Sequence, residues 1–129
     1  MFSIREQSHI LRDNSMRVNL IKEQTIRNFS RNHAASREAF EKWIYTLRNA
    51  DWKTPDDMKY TFNHVDFLGK NSHRVVFDVA GNSYRVICKY YFGTHNVFLF
   101  VCWIGTHATY SSLCKKGEQY TSENFQNYI

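Results

Sequence analysis

A hairpin pattern between residues 74 and 92 constrains the fold more than any other feature of the chain. The sequence RVVFDVAGNSYRVICKYYF alternates on both sides of Gly81-Asn82, a pair typical of a tight turn between antiparallel strands. The turn predicts one face with the cross-strand pairs Arg74–Lys89, Val76–Ile87 and Asp78–Arg85, and a second face with Val75–Cys88, Phe77–Val86 and Val79–Tyr84. The second face is apolar and is predicted to pack on helices. The first is charged and is predicted to be open to solvent.

Further elements precede this hairpin. Residues 16–21 favour a strand, residues 22–33 favour a short helix, and residues 36–50 favour a second helix that Ser36 could cap. The second helix carries one apolar stripe, which is predicted to be core: Phe40, Trp43, Ile44 and Leu47. A Thr-Pro-Asp-Asp sequence at 54–57 is typical of a helix start with a capping box.

The sheet is predicted to contain strands at residues 73–79, 83–92 and 97–105, after a polar loop at residues 63–72. Residues 111–129 are predicted to form a short helix or a loose tail. The order of elements is therefore β-α-α-β-β-β. It predicts an α+β domain in which an N-terminal strand and two helices pack on one face of a small antiparallel sheet.

Length and composition favour one folded domain with a polyanionic partner. The chain has 129 residues, enough for one modest core, and a net charge of +5. Its three widely spaced cysteines give no disulfide framework and its dispersed histidines give no zinc pattern, so neither a metal nor another cofactor is predicted. No apolar run is long enough to span a bilayer and no signal peptide opens the chain. We therefore expect a cytoplasmic protein without a membrane partner.

Cations on the charged face suit a phosphodiester substrate such as RNA. Arg85 and Lys89 are four residues apart on one strand, so both point to the same side, and Arg74 lies across from Lys89. Together they could hold the scissile phosphate, because arginine offers two parallel donors to an oxyanion. The alternative is a purely structural role, since Asp78 lies opposite Arg85 and could simply pair with it.

An imidazole and a phenol follow directly after the last strand. His107 could accept or donate a proton near neutral pH, and neighbouring cations would disfavour its charged form, which suits a base. Tyr110 could donate a proton or stack on a base, and Tyr91, Phe98 and Phe100 could add stacking surface. The alternatives are a hydrogen-bonded loop histidine and aromatic rings that pack in or beside the core.

Several short motifs resemble the HigB type of toxin from bacterial type II toxin–antitoxin systems, within the wider RelE/ParE superfamily. They recur in order and at matching separations, namely ADWKTP at 50–55, DFLG at 66–69, RVVFDV at 74–79, GNSYR at 81–85 and GTHATY at 105–110. The resemblance predicts an N-terminal extension over residues 1–15, a toxin domain over residues 16–113 and a tail over residues 114–129. The extension could be a flexible arm or could reflect an upstream start codon.

The resemblance implies a metal-independent endoribonuclease, an mRNA interferase that cuts messenger RNA on the translating ribosome. It also implies a HigA-type helix-turn-helix antitoxin as the neutralising partner, and the RelE-like fold, which agrees with the order of elements read above. Carried over by motif, the candidate catalytic residues are Arg85, Lys89, His107 and Tyr110. The candidate RNA-binding residues are Arg74, Lys53, Phe100 and Tyr91.

Two positions depart from the family pattern. Members often carry acidic residues where this chain has Thr109 and Ser111, so an inactive relative is one alternative. Superfamily members of the ParE kind act on DNA gyrase, so a non-nucleolytic toxin is another. A basic ribosome-binding module, in which the same cations hold phosphates without breaking a bond, is the third.

Overall fold

The computed structural model describes residues 15–123, in which a five-stranded sheet carries helices on both faces. The strands are β1 (Arg17–Ile21), β2 (Val65–Phe67), β3 (Arg74–Val79), β4 (Tyr84–Phe92) and β5 (Asn96–Thr106). The helices are α1 (Glu23–Asn32), α2 (Arg37–Arg48), α3 (Met58–Thr61) and α4 (His107–Lys115). The predicted extension lies outside the described residues except for Ser15.

The strand order is β1-β5-β4-β3-β2, with β1 parallel to β5 and every other pairing antiparallel. The α+β class and the RelE-like order of elements are therefore confirmed. A parallel pair of strands needs a long connection between them. The two helices and the other strands between β1 and β5 provide that connection. The sheet is mostly antiparallel rather than wholly so.

The predicted hairpin register is confirmed pair by pair, from Arg74 opposite Lys89 to Val79 opposite Tyr84. Its turn is closed by the backbone N–H of Ser83, which donates to the Ala80 carbonyl at 3.1 Å. Gly81 has a φ of +64°, a left-handed conformation that glycine adopts without strain. The turn chemistry thus sets which side chains of β3 and β4 share a face.

The apolar face of the sheet packs on α1 and α2, as predicted. The stripe of α2 is buried, and Trp43 meets the ring of Phe77 on β3 with centroids 5.4 Å apart. Trp52, 1% exposed, stacks on the same Phe77 ring and donates through Nε1 to the Thr61 hydroxyl at 2.8 Å. Burying such side chains contributes about 1.5–3 kcal/mol each, so this layer is the main core.

Two local predictions are wrong. Ser36 does not cap α2; it lies in a 3-10 turn, and its hydroxyl donates backwards to the His33 carbonyl at 2.6 Å. Residues 63–72 are not only loop, because β2 pairs with β3 along the edge of the sheet. The capping box of Thr54 and Asp57 is confirmed, although the helix that it opens is a 3-10 turn leading into the short α3.

The charged face of the hairpin is not open throughout, which corrects the prediction. Helix α4 covers one half of it, where Val76, Ile87, Cys102 and Trp103 form a second buried cluster. The register shifts at this point of the β4–β5 pairing, since Ile87 pairs with Trp103 and Cys88 with Val101. Cys102 is therefore the extra residue of a bulge, which adds twist beneath the helix. At the other end of this face Lys89 stays exposed, whereas the chain after α4 covers Arg74.

Candidate functional site

Arg85 lies at the centre of a contact network on the half of the sheet that α4 covers, and it is only 8% exposed. Its Nε lies 3.1 Å from the Asp78 carboxylate. Its Nη1 donates to the carbonyls of Asn82 and Tyr84, each at 3.3 Å. Its Nη2 donates to the Asn82 side-chain oxygen at 2.6 Å and to His107 Nδ1 at 2.9 Å. All five guanidinium hydrogens therefore face protein acceptors.

This network changes the role expected of Arg85. A guanidinium whose five donors are directed at the protein has none left for a scissile phosphate. The same group does orient His107. Because a guanidinium can only donate, Nδ1 of His107 must accept, and the hydrogen of the neutral imidazole lies on Nε2.

His107 is the first residue of α4, and the local sequence holds that helix start in place. Its backbone N–H donates to the Ser83 carbonyl at 2.9 Å, which ties it to the hairpin turn. Thr106 caps the helix by accepting from the Thr109 backbone N–H at 3.2 Å. Thr109 occupies the position where a glutamate completes a capping box, and its hydroxyl instead donates to the Thr106 carbonyl at 2.9 Å.

Gly105 allows this close approach between β5 and α4. A Cβ at that position would lie 2.4 Å from the Trp103 ring and 2.6 Å from the Thr109 hydroxyl oxygen. Both distances are too short for real contacts, so a larger residue would push the helix start away from the strand. The glycine of the GTHATY motif thus has a steric reason to be there.

Tyr110 lies beside this network, with its ring 5.8 Å from the Arg85 guanidinium carbon and 6.0 Å from the Trp103 ring. Burial raises the pKa of the phenol, and a hydrogen bond with Cys114 and the negative charge of Asp66 raise it further. The phenol therefore keeps its proton at neutral pH. It can donate a hydrogen bond but cannot serve as a base.

A polar cavity of about 390 Å³ opens next to Arg85 and Tyr110, and we call it the polar pocket. It is lined by Asn63, His64, Val65, Asp66, Val76, Asp78, Arg85 and Tyr110. Neither His64 nor Asp66 was among the predicted site residues, although Asp66 belongs to the DFLG motif at 66–69. His64 could be placed only once the short strand β2 was recognised.

A second cavity, of about 900 Å³, lies beside β4, β5 and the segment after α2, and we call it the lysine–aromatic groove. Its lysines are Lys22, Lys53 and Lys89, and its exposed rings are Tyr91 and Phe100. Tyr91 is 62% exposed and Phe100 is 40% exposed, so both rings present accessible surface at this cavity. Phe98 packs against Tyr91 with ring centroids 6.3 Å apart.

The structure therefore divides the predicted site residues between two places. Arg85, His107 and Tyr110 lie together, whereas Lys89 lies in the groove with Lys53. Lys89 lies four positions after Arg85 on β4, which places their Cα atoms about 13 Å apart. One pocket shared by Arg85, Lys89 and His107, which the sequence led us to expect, is replaced by two separate cavities.

Arg74 contacts neither cavity and holds the chain after α4. It is 5% exposed, and its Nη1 donates to the carbonyls of Gln119 at 3.2 Å and Ser122 at 2.9 Å. Its Nη2 lies 3.7 Å from the Glu123 carboxylate. This geometry gives Arg74 structural contacts, and the RNA contact predicted for it stays a prediction.

The remaining reactive groups have plain structural surroundings. Burial raises the pKa of the Cys88 thiol well above its ordinary value and also raises the pKa of Cys102, so neither is a ready nucleophile. Between residues 15 and 123, no group of three or more histidine, cysteine or acidic side chains is arranged to hold a metal ion. None of the helices in that range has the length and apolar character needed to cross a bilayer.

Comparison with known proteins identifies the family of this arrangement. A family model described as "HigB_toxin, RelE-like toxic component of a toxin-antitoxin system" matches residues 36–113, which run from α2 through β5 and include most of α4. The mRNA interferase HigB of Escherichia coli O6:H1 is 33% identical over 69 residues, which cover 54% of this chain and 65% of that relative. The match thus spans slightly less than two thirds of the relative's length. The chain belongs to the HigB family of RelE-like toxins.

Proposed function

We propose that this chain is the toxin of a type II toxin–antitoxin system and acts as a metal-independent endoribonuclease on messenger RNA. The observation that carries the proposal is the exposed imidazole of His107, which Arg85 holds in one tautomer at 2.9 Å. A fixed imidazole beside a polar pocket is typical of acid–base and electrostatic catalysis. The 33% identity to an mRNA interferase supports the same reaction.

The geometry supports distinct roles for the grouped residues. The Nε2 hydrogen of His107 can donate to a non-bridging phosphate oxygen, where charge grows as the phosphorane forms. The Tyr110 phenol, which stays protonated, can donate to the same group. Arg85 acts as a positioning residue for His107, and its positive charge lies close enough to favour an anionic transition state.

The lysine–aromatic groove supplies a path for the RNA strand. Lys89 has no ion-pair partner between residues 15 and 123, whereas Lys53 lies 3.1 Å from Asp51. Both can contact backbone phosphates, and the exposed Tyr91 and Phe100 rings can stack on bases of any sequence. Cations interleaved with exposed rings are what a single-stranded substrate needs.

The biological setting follows from the family and is part of the proposal. A HigA-type helix-turn-helix antitoxin is the expected neutralising partner, and the translating ribosome is the expected place of cleavage. A net charge of +5 fits the ribosome as the place of action, because ribosomal RNA offers negative charge.

The test uses the purified full-length chain with a fluorescently labelled mRNA, in a translating extract and alone. EDTA is added only to the reaction on the free mRNA, because removing Mg²⁺ stops translation. We expect cleavage that EDTA does not abolish and that His107→Ala reduces about 10²-fold or more. The matched control is His95→Ala, which removes an exposed histidine of the β4–β5 turn and should leave the rate unchanged.

Mapping transcript 5′ ends after induction in cells separates the alternatives. New ends within coding regions support cleavage. Growth arrest with intact transcripts and damaged DNA would support a gyrase-directed toxin instead. An absence of any growth effect without the antitoxin would identify an inactive relative.

A further inference from the structure

The polar pocket contains a second imidazole, that of His64. Val65 pairs with Phe77, so continuing the β2–β3 register by one residue places His64 opposite Asp78, which in turn pairs with Arg85. These three residues form one row across the sheet, and all three line the polar pocket. His64 is exposed, and residues 15–123 offer its imidazole no hydrogen-bond or ion-pair partner.

The neighbouring groups leave one chemical task unfilled. His107 cannot accept a proton at Nδ1, which takes the Arg85 hydrogen bond, or at Nε2, which carries a hydrogen in that tautomer. Tyr110 keeps its proton, and Arg85 is already fully hydrogen-bonded. The cleavage of RNA nevertheless requires a group that removes the proton of the attacking 2′-hydroxyl.

The charged and titratable groups that face His64 come from each strand and helix around the pocket. They are Asp66 on β2, Asp78 on β3, Arg85 on β4 and Tyr110 on α4. Asp78 is already paired with Arg85, which leaves the Asp66 carboxylate and the His64 imidazole as the groups of this pocket that can accept a proton. Of these two kinds of side chain, an imidazole is the stronger base.

We infer that His64 is a catalytic residue, the proton acceptor of the cleavage reaction, and this inference rests on the proposed nuclease function. The 2′-oxygen forms a bond to phosphorus while its proton moves to His64. The bond from phosphorus to the 5′-oxygen breaks, and that oxygen takes a proton from water. The resulting hydroxide neutralises the His64 imidazolium, so the products are a 2′,3′-cyclic phosphate and a 5′-hydroxyl end.

The test measures how fast the full-length protein cleaves the labelled mRNA under single-turnover conditions. The rate is measured from pH 5 to pH 9. We expect His64→Gln to lower the rate about 10²-fold and to remove the increase in rate between pH 5 and pH 7. The affinity for RNA and the unfolding temperature should stay unchanged, since His64 is exposed. His95→Gln, at another exposed histidine, is the matched control and should keep both the rate and the pH profile.

Chemical rescue separates a proton acceptor from a structural residue. His64→Ala should regain cleavage when free imidazole is added, and His107→Ala should not. This inference alone would be overturned if His64→Gln cleaved RNA within threefold of the wild-type rate, or if its rate still increased between pH 5 and pH 7. If Asp66→Asn lost that increase and His64→Gln kept it, the role would belong to Asp66 instead. Absence of cleavage by the wild type would overturn the nuclease proposal, and the role of His64 with it.

Discussion

The side chain of Arg85 joins three parts of the molecule through its contacts with Asp78 on β3, Asn82 in the hairpin turn and His107 at the start of α4. Its planar fork directs each hydrogen at a different acceptor, which the three-hydrogen ammonium of a lysine could not reproduce. Most of the ion pair is shielded from water, because the side chains of Arg85 and Asp78 are 10% and 25% exposed. Arg85, which the sequence predicted to bind the substrate phosphate, therefore connects the strand, the turn and the helix that surround the candidate site.

A substitution at Arg85 should act first on the tautomer of His107. In the wild type, ¹⁵N NMR of the imidazole should show a bare Nδ1 and a protonated Nε2. Arg85→Lys should give a mixture of both tautomers and lower the free energy of unfolding by about 1–3 kcal/mol, because buried acceptors lose their donors. Arg31→Lys, on the surface of α1, is the control and should change neither quantity. A wild-type spectrum with the hydrogen on Nδ1 would contradict the proposed contact.

Helix α4 contributes two of the candidate catalytic side chains, His107 and Tyr110, and packs against the sheet. Its first residue carries the imidazole, Tyr110 follows one turn later, and Leu113 packs on the buried cluster of Ile87 and Trp103. Its start depends on the cap at Thr106 and on the missing side chain of Gly105. The position of the imidazole relative to the polar pocket is thus set by how closely β5 and α4 approach.

Adding one methyl group at Gly105 should therefore disturb both stability and catalysis. Gly105→Ala places a Cβ within 2.6 Å of the Thr109 hydroxyl oxygen and even closer to the Trp103 ring, and overpacking of this kind costs about 1–3 kcal/mol. Urea unfolding and the cleavage rate should both report the loss. Gly93→Ala is the matched control, because its Cβ would approach no atom closer than 3.1 Å. Equal losses in the two variants would argue against a special role for the β5–α4 contact.

Seen as a whole, the sheet has one face that belongs to the core and one face shared between α4 and solvent. The exposed half of the second face carries Lys89 and Phe100, and the covered half leads to the polar pocket. Lys89, which lines the groove, and Arg85, which lines the pocket, project from the same side of β4, so the proposed RNA substrate could contact both.

The electrostatic share of RNA binding should be carried by the groove. Lys89→Gln should weaken binding of a non-cleavable RNA and reduce the slope of log Kd against log salt concentration by about 0.7, the value for one phosphate contact on a single strand. Lys59→Gln is the control, since Lys59 pairs with Asp56 and lies over the Phe67 ring, outside the groove. Fluorescence anisotropy between 50 mM and 300 mM salt is the measurement. Unchanged slopes in both variants would remove the groove from the RNA path.

Local signals predicted the hairpin and the helix stripe, because alternation, a Gly-Asn turn and the spacing of apolar residues act over short distances. Helix α4 was harder to predict, since none of its residues is fully buried and its packing depends on a bulge at Cys102. The contacts of Arg85 could not be read from its own strand, because its acceptors include Asn82 in the hairpin turn and His107 on α4. His64 was missed because β2, with three residues, carries almost no pattern of its own.

The pairing of β1 with β5 has a consequence for how the protein is made. Among the described strands, β1 leaves the ribosome first, but its hydrogen-bonding partner is the last strand of the sheet, and α4 follows that strand directly. Contacts between such distant parts of a chain form late during synthesis. The growing polypeptide consequently carries no assembled site until nearly all of the described domain has been translated, so under the proposed function a nascent copy would not yet cleave RNA.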